Sequence, residues 1–240
     1  MRQSPIKEHF EKTAGEYHRD FAKRGSRGDE LANRYLSHLL PGAKNKRVLE
    51  IGCGPGTFLQ PITEVAASVT RVDLSETMLQ IARRENSDFH LALAEGSRLP
   101  FADGSFDMAY AIRTFQHVPE PEPFLGEIRR VLSEDGLFMI DFMNSLNPIA
   151  WVRDMLSSTS DFVYLKSISA QRMKRLCDNA GLEVTHLLPV ALFVDASNLQ
   201  KYLPLVSMIP GVVKSMEYVP RENSLAATFA LRLLVCGQAR

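Results

Sequence analysis

VLEIGCGPGTFL, residues 48–59, is the stretch that decides the fold of this 240-residue chain. An apolar run typical of a buried strand leads into a turn with glycine at three alternate positions, Gly52, Gly54 and Gly56, and then into an apolar segment compatible with a helix. Glycines in such a turn let the backbone approach a ligand or another chain segment closely. The turn also directs the N-terminal N–H groups of the following helix at that place. The pattern predicts a site for a cofactor that contains a nucleoside.

The glycine spacing narrows the choice of cofactor. A dinucleotide-binding turn reads G-x-G-x-x-G. Here the third glycine comes one position early, and Thr57 stands where that pattern has glycine. A Walker P-loop is excluded more firmly, because no Gly-Lys-Ser/Thr follows. A tight turn without any ligand is the remaining alternative.

An acidic residue follows at the end of a second predicted strand. Residues 68–72 are β-branched in part and lead to Asp73, while Ser75 is placed to cap a helix over 76–85. A carboxylate at this position can accept hydrogen bonds from both ribose hydroxyls. The alternative is that Asp73 only assists Ser75 in capping the helix.

Together these segments resemble the class I S-adenosylmethionine (SAM)-dependent methyltransferases, and in particular the group that includes ubiquinone and menaquinone biosynthesis enzymes. Glu-Ile-Gly-Cys-Gly-Pro-Gly at 50–56 is similar to the E-x-G-x-G-x-G signature, and 72–79 is similar to the second motif. The resemblance continues through AEGSRLPF at 94–101, DGSFD at 103–107 and QHVP at 116–119. These motifs occur in the order expected of the family, between about residues 10 and 142.

Strands and helices are predicted to alternate, which favours an α/β fold with ligands at the carboxyl ends of parallel strands. The resemblance implies a Rossmann-like, doubly wound, mostly parallel seven-stranded sheet with an N-terminal helical cap and a C-terminal insert before the last strand. We expect one methyltransferase domain composed of a cap (1–45), a SAM-binding core (46–186), an insert (187–224) and a last strand (225–240). The insert is either a lid over the substrate or a surface helix pair.

The predicted elements have the following bounds. Strands are expected at 48–51, 69–73, 89–94, 106–112, 137–141, 183–186 and 226–236, and helices at 57–66, 76–85, 121–131 and 170–180. Pro41-Gly42 is expected to end the cap helix. Pro61 is expected to distort the first core helix or to shift its start.

The amino-acid composition indicates which kinds of binding partner and which cellular compartment suit the chain. Lys+Arg and Asp+Glu are equal at 28 each, so no net field attracts the chain to nucleic acid, which is not favoured as a partner. Cys53, Cys177 and Cys236 form neither a CxxC nor a Cys/His cluster, so no disulfide framework and no metal site is indicated. No apolar run reaches the roughly 18 residues of a membrane span, and the N-terminus is not typical of a signal peptide. We expect a cytoplasmic monomer or homodimer.

The resemblance implies SAM as cofactor and S-adenosylhomocysteine as product. Asp73 is expected to bind the ribose. Glu95 and the Gly96 N–H are expected to bind the adenine. The glycine turn is expected to bind the carboxylate of the methionine moiety. Glu50 and a backbone carbonyl near Ile112 are expected to bind its ammonium group. The full expected set of cofactor-binding residues is Tyr17, Glu50, Gly52, Cys53, Gly54, Gly56, Asp73, Leu74, Met78, Glu95, Gly96 and Ile112.

Methyl transfer to a small, fairly hydrophobic acceptor is the leading functional hypothesis. In-line displacement at a sulfonium methyl depends mainly on proximity and on excluding water. A base is needed only for a weakly acidic acceptor. His117 is a candidate base because imidazole titrates near neutral pH, and Arg113 is a candidate for binding an anionic acceptor. The alternatives are a capping or solvent-facing His117 and an Arg113 paired with Glu95 or a surface acid.

Three other functions compete. A nucleic-acid methyltransferase is disfavoured, because the Asn/Asp-Pro-Pro-Tyr/Phe motif and the Pro-Cys nucleophile pair are both missing. An NAD-dependent oxidoreductase would share the turn and Asp73, but the early third glycine argues against it. An inert SAM-binding or scaffold protein is the third alternative, because this chemistry has no obligatory catalytic residue.

Overall fold

The computed structural model describes residues 5–23, 26–56, 61–85, 89–148, 150, 166–191, 228, 230 and 232–240. The helices are α1 (Pro5–Lys23), α2 (Ser26–Ala43), α3 (Ile62–Val65), α4 (Glu76–Glu85), α5 (Pro121–Val131) and α6 (Ala170–Asn179). The strands are β1 (Arg47–Ile51), β2 (Ser68–Asp73), β3 (His90–Leu93), β4 (Phe106–Ala111), β5 (Leu132–Asn144), β6 (Ser167–Ile168), β7 (Leu182–Ala191) and β8 (Arg232–Ala239).

The sheet has the strand order β3-β2-β1-β4-β5-β8-β7. Neighbours from β3 to β5 are parallel, whereas β8 runs antiparallel to both β5 and β7. The predicted mostly parallel, seven-stranded sheet is therefore confirmed. One further strand, β6, pairs with the end of β5. Its two residues are too few to show the period-2 pattern by which a strand is predicted.

Hydrophobic cores lie on both faces of the sheet, as a doubly wound fold requires. Successive residues of β1 enter different cores, because successive side chains of a strand point to opposite faces. Leu49 and Ile51 of β1 pack with α5 and α6, whereas Val48 packs with α2 and α3. The two cores fix the sheet from both sides and bring the carboxyl ends of β1 to β4 to one edge.

The expectation that Pro41-Gly42 ends the cap helix is wrong, because α2 continues to Ala43. Proline removes one helical hydrogen bond, but Ala43 is completely buried against the sheet. A Cβ on Gly42 would lie only 3.1 Å from Leu137 Cδ1, so the helix end packs closely on β5. Tertiary contact thus overrides the local signal. Of the helix predicted at 57–66, residues 57–60 lie outside the described residues, and α3 begins at Ile62, directly after Pro61.

The expected insert at 187–224 lies outside the described residues, except that 187–191 belong to β7. That strand is longer than predicted because it pairs with β8 over nearly its whole length. Within the described part of the chain, no helix has the length and apolar character needed to cross a bilayer.

Candidate functional site

A cavity of about 360 Å³ lies at the carboxyl ends of β1, β2, β3 and β4. This size falls within the range of small-molecule sites, about 300–1,000 Å³. The sheet order reverses here, since β1 has β2 on one side and β4 on the other. Ligands of open α/β sheets bind at such a switch point.

The expected site residues converge on this cavity. His117 and Arg113 line it, as do eleven of the twelve residues expected to bind a cofactor. Gly56 is the exception: its carbonyl oxygen accepts a hydrogen bond from the Arg71 guanidinium (2.8 Å), which lies behind the turn. The eleven residues are Tyr17, Glu50, Gly52, Cys53, Gly54, Asp73, Leu74, Met78, Glu95, Gly96 and Ile112.

Glycine is required at the first two glycine positions of the turn for different structural reasons. Gly52 has φ 75°, and a Cβ there would lie 2.2 Å from Thr114 Oγ1, so another chain segment excludes a side chain. Gly54 has φ 54°, and no heavy atom lies within 4 Å of the place its Cβ would occupy. Glycine at 54 therefore leaves open space beside the backbone at the cavity.

The backbone donors of this turn are used within the protein. The N–H groups of Gly52 and Cys53 donate to Val72 O, at 2.8 and 3.0 Å. Gly54 donates to Asp73 Oδ2 (2.8 Å), and Gly56 donates to Cys53 O (3.1 Å). Residues 52–56 therefore form no nest of free N–H groups of the kind that binds a pyrophosphate.

Asp73 is held rigidly at the end of β2. Its Oδ2 accepts from Gly54, and its Oδ1 accepts from the Ser75 N–H (2.9 Å). Ser75 Oγ in turn accepts from the Met78 N–H (3.1 Å), which confirms Ser75 as the N-cap of α4. Burial raises the pKa of the Asp73 carboxyl, while the N–H donors of Ser75 and Gly54 oppose this. A carboxylate has about four acceptor positions, so Asp73 keeps capacity for a ligand hydroxyl.

Glu50 has a partner that the sequence analysis did not anticipate. Its Oε2 lies 3.0 Å from Nε of Arg71, the residue opposite it on β2. Arg71 is completely buried, and its guanidinium lies 3.8 Å from the centroid of the Phe89 ring. Burial raises the pKa of the Glu50 carboxyl, and Arg71 acts in the opposite direction. An arginine in the middle of a largely β-branched strand was the available signal.

The loop after β4 is fixed by a buried acid. Arg113 has φ 58°, and its N–H donates to Asp141 Oδ1 (2.7 Å). No carboxylate among the described residues lies within 4.0 Å of the Arg113 guanidinium, so the alternative of a pairing with Glu95 is not realised. Asp141 also pairs with Arg232 of β8 (2.5 Å). The motifs give neither Asp141 nor Arg232 a place in the site, although each is a charged residue within an apolar stretch of its strand.

Helix α1 covers the cavity. Ile6, Phe10 and Tyr17 line it, and the Phe10 ring meets the His117 ring edge to face with centroids 5.0 Å apart. The Glu11 carboxylate accepts the N–H groups of Glu76 and Thr77 at the N-terminus of α4, at 2.8 and 3.0 Å. A side chain of α1 thus caps a helix more than sixty residues away in sequence.

The ionisable lining of the cavity is mainly acidic. Arg113 is the single Lys or Arg among the described lining residues. An acidic lining suits a ligand with cationic groups and opposes one with several phosphates. The carboxylates that line it are those of Glu50, Asp73, Glu95 and Glu120.

The chain is similar to known methyltransferases. Residues 49–140 match the methyltransferase domain family. Ubiquinone biosynthesis O-methyltransferase of Aromatoleum aromaticum is 31% identical over 163 residues, which cover 61% of this chain and 68% of that protein. Sterol 24-C-methyltransferase of Gibberella zeae is 34% identical over 111 residues, which cover 43% of this chain and 29% of that protein.

The fold is also that of a known structure. A SAM-dependent methyltransferase of Thermotoga maritima, described as a possible histamine N-methyltransferase, superposes with a TM-score of 0.72 at 22% identity. The match covers 98% of this chain and all of that one. Fold, motif order and sequence identity lead to one conclusion: the chain belongs to the class I SAM-dependent methyltransferases.

Proposed function

We propose that this protein transfers the methyl group of SAM to a small-molecule acceptor and releases S-adenosylhomocysteine. The observation that carries the proposal is the buried Asp73 carboxylate, fixed by the N–H groups of Gly54 and Ser75 at the edge of an acidic cavity. Such a carboxylate is suited to a ribose, and the other lining acids are suited to cationic groups. SAM combines a ribose with a sulfonium and an ammonium.

The residues present fit this cofactor. In our proposal Asp73 binds the ribose hydroxyls, while Leu74 and Met78 contact the ribose and adenine. Glu95 accepts the adenine amino group, with the N–H of Gly96 beside it. Leu74, Met78, Glu95 and Gly96 all border the same cavity as Asp73. Leu74 follows the end of β2, Met78 lies in α4, and Glu95 and Gly96 follow the end of β3.

Glu50 is proposed to face the ammonium of the methionine moiety. Its carboxylate lines the cavity, and Arg71 behind it favours the ionised form. The methionine carboxylate was expected at the glycine turn, but the N–H groups of 52–56 already have acceptors. Tyr17, together with Ile6 and Phe10 of α1, would close the cavity over the cofactor.

Bound SAM would supply an electrophilic methyl group on a sulfonium. The contribution of the chain is to fix both reactants and to exclude water, since proximity and desolvation provide most of such an acceleration. α1 covers the cavity, and the buried Asp141 holds the backbone of the loop that carries Arg113 and His117. We place the acceptor beside that loop. Phe10 and Val118 support a fairly hydrophobic acceptor, because both border the cavity there.

The competing functions have less support. NAD carries a pyrophosphate, for which residues 52–56 offer no free N–H donors. A nucleic acid would meet four carboxylates and one arginine among the described lining residues. We further propose a cytoplasmic location, which agrees with three buried, unpaired cysteines.

Calorimetry with SAM, S-adenosylhomocysteine and NAD on the purified protein tests the cofactor. We expect binding of the first two and none of NAD. Incubation with methyl-labelled SAM and a metabolite extract of the source organism, followed by mass spectrometry, tests transfer and identifies the acceptor. Binding of SAM without any labelled product would favour the inert SAM-binding alternative.

A further inference from the structure

The Gln116 side chain joins the cavity to a buried ion pair. Its Oε1 accepts from Arg232 Nη1 (2.9 Å), and its Nε2 lies 3.0 Å from His117 Nε2. Gln116 is only 7% exposed, and Arg232 is only 3% exposed. His117 and Gln116 both line the cavity, whereas Arg232 does not. The amide therefore transmits the position of a residue outside the cavity to a ring inside it.

Arg232 is itself held firmly. Its Nε and Nη2 donate to the two carboxylate oxygens of Asp141, each at 2.5 Å, which is the bidentate arrangement of a strong pair. The Tyr35 hydroxyl, from α2, also donates to Asp141. All three side chains are buried. With two of its nitrogens bound to Asp141, the guanidinium has a fixed orientation and presents Nη1 to Gln116.

This arrangement fixes which way the Gln116 amide points. A guanidinium carries hydrogen-bond donors and no acceptor, so the group that faces Arg232 Nη1 has to be the amide oxygen. The amide nitrogen, which carries only donors, then faces His117. The orientation of an amide is normally inferred from its partners, and here a donor-only partner leaves one choice.

We propose that Arg232 acts through Gln116 as a positioning residue that holds His117 as the neutral tautomer with its proton on Nδ1. The Nε2 of His117 has to accept from the amide, because a hydrogen on Nε2 would face the amide hydrogen. The proposal rests on the proposed function only in placing His117 beside the acceptor.

The inference changes the role expected of His117. With its Nε2 lone pair engaged, the ring cannot take a proton from an acceptor at Nε2 unless the bond to Gln116 breaks. The protonated Nδ1 is a donor. The site then suits an acceptor that is nucleophilic without losing a proton to Nε2, and His117 serves as a hydrogen-bonding group rather than a base.

Nitrogen-15 NMR of the histidine rings tests this directly, without a methyl acceptor. In the intact protein we expect His117 Nδ1 to be protonated and Nε2 to have the shift of an unprotonated, hydrogen-bonded nitrogen. The loss of one set of ring signals in His117→Asn assigns them. The chain has six histidines, so the other five serve as internal controls.

Gln116→Glu is the decisive variant. It preserves the partner of Arg232 and replaces the amide donor with a carboxylate acceptor, so the proton of His117 should move to Nε2. Gln238→Glu, the same change at a position of β8 far from His117 in the sequence, should leave the His117 signals unchanged. If the Arg232→Lys variant folds, it should show a mixture of the two neutral His117 tautomers. If this variant does not fold, Gln116→Glu still decides the test.

Two results would overturn the inference: a protonated Nε2 in the unaltered protein, or ring signals of His117 that are the same in Gln116→Glu. Calorimetry with SAM on the same samples separates the two proposals. If SAM fails to bind the unaltered protein, the proposed function is wrong, but the tautomer measurement still decides the role of Arg232.

Discussion

The N–H of Gly54 donates a 2.8 Å hydrogen bond to Oδ2 of Asp73, and this bond joins the glycine turn to the end of the neighbouring strand. The two residues are nineteen positions apart, yet they form one rigid edge of the cavity. The acid proposed to bind the ribose is thereby oriented before any ligand arrives, which lowers the entropy cost of binding.

Asp73→Ala should weaken SAM binding at least about tenfold, or about 1.4 kcal/mol, because the proposed ribose acceptor is lost. Titration calorimetry measures the affinity, and the urea midpoint shows whether the fold persists. Asp178→Ala, which removes an exposed carboxylate from α6, is the matched control and should bind SAM normally. An unchanged affinity in Asp73→Ala would refute the cofactor assignment.

Arg71→Met should destabilise the protein by about 3–5 kcal/mol, because it leaves the Glu50 carboxylate buried without its counter-charge. The double variant with Glu50→Gln should recover most of this loss, as measured by urea unfolding. It should still bind SAM more weakly, since the proposed ammonium partner is gone. If the two substitutions are simply additive in stability, the ion pair is not the reason for the loss.

Glu11→Ala should cost about 1 kcal/mol of stability, because α4 loses the cap that α1 supplies. The same change should loosen α1, which we expect to see as faster amide exchange at Phe10 and weaker SAM binding. Glu8→Ala is the control on the same helix, since among the described residues Glu8 pairs with the exposed Lys12 alone. Equal exchange rates in the two variants would show that the cap does not hold α1.

The ion pair of Asp107 with Arg47 makes the stability of the folded protein depend on pH. Arg47 holds the pKa of the Asp107 carboxyl at about 2, below its ordinary value. A lowered pKa in the folded state means that the stabilisation is present above about pH 4 and is lost as the pH falls through about 2.

Asp107→Asn should therefore cost about 1 kcal/mol at pH 7, a value reduced because half of the Arg47 side chain is exposed. The difference from the unaltered protein should shrink as the pH is lowered from 4 toward 2, as followed by urea unfolding. Asp103→Asn is the control, since its exposed carboxylate should contribute almost nothing. A difference that does not depend on pH would contradict the electrostatic explanation.

Much of the core could be predicted because its signals are local. The bounds of α4 and α5 agree with the prediction. Their starts are marked by neighbouring residues, the capping Ser75 for α4 and Pro121 in the first turn of α5. The end of α2 could not be predicted in this way, because the burial of Ala43 against the sheet is not encoded next to Pro41.

The sequence by itself determined the alternation of strands and helices, the glycine turn and the acid that follows it, because each depends on the spacing of neighbouring residues. The tertiary structure decided which charges meet. Glu11 caps a helix 66 residues away, and Arg232 reaches Gln116 across 116 residues. No periodicity links such pairs. The fold brings them together. Arg232 is buried, and a charge removed from water needs a partner, whereas the Glu11 carboxylate meets N–H groups that the start of α4 leaves without a helical acceptor.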